Sequence, residues 1–166
     1  ALAACVGSVA FPTQAAAVWQ QLRSFVYRQY VTHTEIHISA PESEIHTGPT
    51  ADEFAPVRPS YIPEGFICTE EEQLTILSFM VYERNEQRIS FQQMFADGTG
   101  IGLDTEDAYT ENTQVSGMEA LYVEKQIEDS VHRTLLYHDE VYIYLLSADG
   151  LSRQELFKIA ESVPAV

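Results

Sequence analysis

The sequence predicts an α+β domain: an N-terminal helix, an antiparallel sheet of about six or seven strands built from hairpins, and a C-terminal helix packed on the sheet. Three observations carry this. Segments of strand character follow one another between residues 65 and 147 with short polar connections, and parallel crossovers need about a dozen residues or more. The chain then closes with "LSRQELFKIAESV" (151–163), where Ser152 and Glu155 have capping-box spacing and Leu151 and Leu156 that of a hydrophobic staple. Near the start, "QAAAVWQQLRSFVYRQY" (14–30) repeats apolar residues at helical intervals.

Residues 1–12 are apolar and uncharged, but a membrane span needs about 20 such residues. They are expected to be the tail of a membrane helix or a signal segment. The box Leu2-Ala3-Ala4-Cys5 keeps a lipoprotein alternative open. A membrane helix that stops at Pro12 fits best, because the next stretch is helical in pattern rather than a flexible tether. Residues 13–30 then form a helix with Thr13 as N-cap and Val18, Leu22, Phe25 and Val26 on one side. "THTEIHIS" (32–39) alternates as a strand. Together, 13–40 are a juxtamembrane helix and strand. Residues 41–60 carry Pro41, Pro49, Pro56 and Pro59 and read as a surface loop.

Residues 61–166 hold the sheet and last helix, forming one globular domain with 13–40. In "YIPEGF" (61–66), Pro63 presets a turn φ and Gly65 can supply a positive one, so Tyr61 and Phe66 enter the core from either side. "GFIC" (65–68) is a strand ending on Cys68, a small buried hydrophobe, and "TEEEQ" (69–73) is an acidic turn. "LTILSFMVYE" (74–83) and "RISFQQMF" (88–95) form a hairpin, with Ile89, Phe91, Gln93 and Phe95 on one face. "DGTGIG" (97–102) turns into a weak segment, and 104–113 is an acidic loop. "MEALYVEKQI" (118–127), "VHRTLLYH" (131–138) and "VYIYLLS" (141–147) are three antiparallel strands.

Charge and motifs narrow the function. With 25 acids against 9 bases and a net charge of -16, the chain repels phosphate backbones, which argues against nucleic acid as a partner. His33, Glu35 and His37 share a strand face and are the sharpest metal candidates, with His46 as a fourth ligand. Same-face strand neighbours stand about 7 Å apart, so a solvated polar face is expected and no metal. "DGTGIG" lacks the lysine and following helix of a phosphate loop. The acidic runs at 70–72 and 104–111 lack calcium-loop spacing. His132 and His138 lie near strands, but no serine sits in a nucleophile elbow, so neither catalysis nor a cofactor is expected. Tyr122, Tyr137, Tyr142 and Tyr144 come from neighbouring strands. If the helices cover the aliphatic face, these four are a candidate interaction surface, against the ordinary alternative of a sheet face packed under loops.

Several stretches, taken in order, resemble a family: Pro63-Glu64-Gly65-Phe66, "SGMEALYV" (116–123), the closing "VYIYLLSADGLSRQELFKIAESV", and "AAAVWQQLRSFVYRQYVTHTEIHI" (15–38). They look like the domain of unknown function 4367 family, the extracytoplasmic C-terminal domain of Gram-positive anti-sigma-factor-like membrane proteins. Tyr137 departs from the pattern, which often has Trp there. The resemblance brings no catalytic residues with it. It implies a non-enzymatic sensing or protein-interaction domain, on the outer face of the plasma membrane and anchored by a single pass. Its partner would be a protein or a cell-envelope ligand. The alternative is a carrier or chaperone-like domain holding a lipid or peptide between sheet and helices. Oligomeric state stays open.

Overall fold

A computed structural model describes residues 54–96 and 100–164 throughout, and residues 24–29 and 33–39 through their backbone course. In chain order the strands are β1 (Ser24–Gln29), β2 (His33–Ser39), β3 (Ile67–Gln73), β4 (Leu77–Arg84), β5 (Gln87–Phe95), β6 (Gly100–Asp104), β7 (Tyr109–Val115), β8 (Met118–Ile127), β9 (Ser130–His138) and β10 (Tyr142–Asp149). Helix α1 (Arg153–Glu161) follows. A seven-stranded sheet has the order β3-β4-β5-β10-β9-β8-β7, and a three-stranded sheet has the order β1-β2-β6. Every pairing is antiparallel. Two meanders, β3-β4-β5 and β7-β8-β9-β10, join where β10 lies against β5.

Local chemistry sets the turns. Ser116 and Gly117 both take positive φ, 49° and 85°, as a two-residue hairpin loop requires. In "YIPEGF" the Phe66 N–H donates to the Pro63 carbonyl at 3.4 Å, and Gly65 has φ 86°. Pro63 therefore opens the turn, and Gly65 occupies the position that needs a left-handed residue. A Cβ on Gly65 would stand 3.0 Å from Cδ of Arg84. The capping box forms as expected: the Glu155 N–H donates to Oγ of Ser152 at 3.2 Å, and the Ser152 N–H donates to a Glu155 carboxylate oxygen at 3.1 Å. Leu151 and Leu156 are both buried beside it.

The two faces of the large sheet are dressed differently. On one, Met80, Ile89, Phe91, Leu135 and Leu146 meet Leu156, Ile159 and Ala160 of α1. On the other, Leu121, Val123, Leu136 and Ile143 are capped by Ile101 and Leu103 of β6. At one edge Arg153 clamps α1 to β7 through two bonds to Glu111, 2.8 and 2.7 Å. That pairing drops the Glu111 carboxyl from its ordinary 4.5 to about 2.

Several expectations are corrected. Residues 24–29 are extended and pair with β2, Phe25 opposite Ile38 and Tyr27 opposite Ile36, so the N-terminal helix does not reach them. Phe25, Val26 and Tyr27 are residues that favour strands, and pairing overrides a helical repeat that also fitted. The rest of that helix, 13–23, lies outside the described residues, as do 1–12 and 40–53. "TEEEQ" is not a turn but most of β3, fully exposed at the sheet edge, where charged side chains discourage further strand pairing. Cys68 on that strand is exposed, not buried. The acidic stretch 104–113 is partly β7.

The largest correction concerns residues 54–60, the end of the expected surface loop. They form a strap across the sheet. Phe54 and Val57 pack on the core, and Pro59 is buried. Gln93, fully buried on β5, accepts from the Val57 N–H at 2.8 Å and donates to the Ala55 carbonyl at 3.0 Å. The Ala55 N–H donates to the Tyr142 hydroxyl at 2.9 Å. At its far end the strap joins α1, the Ser60 N–H and hydroxyl both donating to the Ser162 carbonyl at 3.2 and 2.8 Å. Replacing Gln93→Leu leaves two strap groups without partners, a cost of about 1–3 kcal/mol. Urea unfolding should show that loss with an unchanged m-value. An unchanged midpoint would mean that the strap holds without Gln93.

Candidate functional site

The tyrosine-rich face is the covered face. Tyr122, Tyr137, Tyr142 and Tyr144 are each 1% exposed, so they are not an interaction surface. On this side residues of β5, β10, β9 and β8 share one buried cluster with Leu156, Ile159 and Ala160 of the helix. Tyr137 and Tyr144 stack with centroids 5.0 Å apart, and Phe95 stacks on Tyr142 at 5.4 Å. Buried hydroxyls need partners, and they have them. Tyr144 donates to Asp139 at 2.8 Å, Tyr122 to Glu124 at 2.5 Å and Tyr137 to the Ala160 carbonyl at 3.4 Å. Asp139 also accepts the Val141 and Tyr142 N–H groups, both at 2.7 Å, which shapes the turn into β10. Burial, with Glu124 beside it, pushes the Tyr122 phenol up to about 12. Burial raises Tyr137 and Tyr144 as well. Among the described residues the four rings are packed with the side chains of α1 and of the 54–60 strap.

The proposed metal trio sits on β2, where His33, Glu35 and His37 pair with Asp104, Gly102 and Gly100 of β6. The backbone places the three at alternate positions, hence on one face. Their side chains, and His46, lie outside the described residues. Among the described residues no group of three metal-binding side chains converges.

The opposite face of the large sheet carries an open cleft of 270 Å³. Its floor is polar and comes from four adjacent strands. β5 contributes Arg88, Ser90 and Gln92, and β10 contributes Ser147 and Asp149. β9 supplies His132, and Phe79 of β4 makes one wall. The register explains the grouping: Ser90 is opposite Ser147, Gln92 opposite Phe79 and Asp149 opposite His132. These residues alternate along their strands with Ile89, Phe91, Leu146 and Ala148, which point into the helix-side core.

A hydrogen-bonded chain runs along the cleft. Nδ1 of His132 and Oδ1 of Asp149 are 2.7 Å apart. Nε2 of His132 lies 3.3 Å from Oγ1 of Thr134, which is 3.0 Å from Oγ of Ser147. The order carboxylate, imidazole, hydroxyl resembles a nucleophile relay. Two features set it apart. Thr134, which completes the relay, is only 5% exposed. The backbone N–H groups of β9 and β10 lie in the sheet plane and serve the ladder, whereas an oxyanion hole needs donors aimed at the reacting carbonyl. The arrangement fixes the directions of His132 and Ser147.

Arg88 is the distinctive charge. Arg58, Lys125, Arg133 and Arg153 pair with Glu71, Asp104, Glu124 and Glu111. Arg84 bonds the Glu64 carbonyl and lies over Phe66, and Lys158 lies over Tyr61. Among the described basic side chains, Arg88 alone makes no ion pair, hydrogen bond or ring contact. Sequence reasoning missed this site. The alternation of "RISFQQ" put Arg88, Ser90 and Gln92 on one face. Their partners on β10 lie some fifty-five residues away, and only the β5–β10 register unites them.

The family described as a domain of unknown function, DUF4367, has a model that matches residues 56–163, and the chain belongs to that family. No curated protein matches the chain, and no solved structure does. Among the described residues no helix is long and apolar enough to cross a membrane.

The shifted phenol of Tyr122 gives an alkaline signature. Its folded value of about 12 exceeds the ordinary 10.0, so the unfolded chain loses the proton first. Its stabilising share is complete below pH 10.0 and is lost as the pH rises through about 12. Urea midpoints measured across that window should fall, and Tyr122→Phe should make the fall shallower. Parallel curves for the two proteins would contradict the burial of this hydroxyl.

Proposed function

We propose that this member of the DUF4367 family is a non-enzymatic recognition domain, the extracytoplasmic part of a membrane-anchored, anti-sigma-factor-like regulator in a Gram-positive cell. The observation that carries the reading is the division of labour between the sheet faces. One face is closed by α1 and the strap over the tyrosine layer. The other presents ordered polar side chains in a shallow cleft on central strands. A rigid sheet face with fixed hydrogen-bonding groups is suited to holding a guest. The hydroxyl that completes the relay is buried, so nucleophilic attack is poorly served. A carrier role gains little support, because the layer beneath the helix is filled.

The regulatory role and outward location follow from the family resemblance, and the acidic surface is compatible with them. A net charge of -16 keeps the domain off an anionic membrane to which it is tethered. In intact cells making the complete gene product, external protease should remove this domain while cytoplasmic markers survive. A sigma factor should co-purify with the detergent-solubilised protein. Protection of the domain in intact cells, or solubilised protein free of any sigma factor, would contradict the proposal.

A further inference from the structure

We infer that the cleft on the open sheet face takes a neutral, polyhydroxylated ligand, a saccharide ring lying against Phe79 and bonded by Arg88, Gln92, Ser90, Ser147 and Asp149. The inference rests on the recognition reading and names the ligand class for the same surface.

The charges exclude the simpler guests. An anion would meet Arg88 but also the Asp149 carboxylate in the same cleft, within a chain carrying a net charge of -16. A cation would meet Asp149 but also the guanidinium of Arg88 in the same cleft. An apolar guest would bury the polar floor and leave each of its groups without a partner.

A saccharide hydroxyl donates and accepts at once, so it can bridge neighbours of opposite character. The floor alternates in this sense. Arg88 only donates, and ionised Asp149 only accepts. Gln92, Ser90 and Ser147 do both. The Asp149 oxygen that His132 does not engage remains for a guest, since the 2.7 Å contact uses Oδ1. Phe79 adds an apolar wall, which the C–H face of a sugar ring covers. Adjacent strands set these groups about 5 Å apart, and same-face positions along a strand about 7 Å apart. That grid has the scale of one ring with its hydroxyls. Because the groups sit on central strands, their spacing is held before the guest arrives, which lowers the cost of binding.

The test is a titration of the 166-residue chain, followed by amide proton–nitrogen correlation spectra. The probes are glucose, N-acetylglucosamine, cellobiose and diacetylchitobiose, with glycine and sodium sulfate as charged controls. Saturable shifts are expected at Ser90, Gln92, Ser147 and Asp149 with at least one sugar. Arg88→Ala and Phe79→Ala should each weaken binding about tenfold, the loss of one charge-assisted bond or one ring face. Both should leave resonances on the α1 side in place. A response to disaccharides alone assigns a polymeric glycan as the source, and an equal response to monosaccharides assigns a free sugar. The inference is overturned by the absence of saturable shifts with all four sugars, by shifts that map elsewhere or ignore both substitutions, or by glycine or sulfate acting as strongly. A negative result here leaves the protease and sigma-factor experiment untouched, so the two readings fail separately.

Discussion

The structure depends on one constraint: a layer of tyrosines must be buried with every hydroxyl satisfied. Tyr122, Tyr137, Tyr142 and Tyr144 supply much of the apolar volume between sheet and helix, yet each carries a group that is costly to leave unpaired. The solution is distributed. Glu124 and Asp139 accept from two of the hydroxyls, and a carbonyl near the end of α1 from a third. Tyr142 accepts from the strap. Gln93 extends the same logic to an amide, holding residues 55–57 much as a neighbouring strand would. Segments far apart in sequence are thereby fixed to one surface. The strap, α1 and four strands hold together because they share these bonds.

Closing one face in this way leaves the other as the surface for the proposed recognition. On the helix side the described core residues are buried, and the edge strand β3 is lined with acids. The second face is divided. Ile101 and Leu103 cover its aliphatic half, and the polar half remains as the cleft around Arg88 and Asp149. The His132–Asp149 contact and the Thr134–Ser147 bond use side-chain polarity to fix orientation, and satisfied networks of this kind rigidify a surface. On the proposed reading, the fold separates stability from recognition by assigning them to opposite sides of one sheet.

Much of this was legible in the sequence, and the failures have physical causes. The capping box at Ser152 and Glu155, the turn at Gly65 and the hairpins of β4–β5 and β8–β10 rest on local chemistry, and the structure has them where the sequence put them. Strands at the sheet edges were cut short or missed: β3 was read only as far as Cys68, and β7 was read as loop. The 69–73 part of β3 and all of β7 are rich in polar and acidic residues, so they lack the apolar alternation that marks a half-buried strand. β1 was read as helix because Phe25 and Val26 satisfy a helical repeat as well as a strand. The tyrosine face was assigned to the wrong side. Alternation shows that two faces differ, but not which one the helix will cover. The cleft was invisible for a related reason: its residues are unremarkable singly, and only the β5–β10 register gathers them.

The central claim, that the four tyrosines form a closed core beneath helix and strap, is tested most directly by tyrosine nitration of the folded protein, with sites mapped by mass spectrometry. Tyr109, 55% exposed on the edge strand, should be modified, while Tyr122, Tyr137, Tyr142 and Tyr144 stay unmodified until denaturant is added. Nitration of Tyr137 or Tyr144 at the rate of Tyr109 in the native protein would contradict the account.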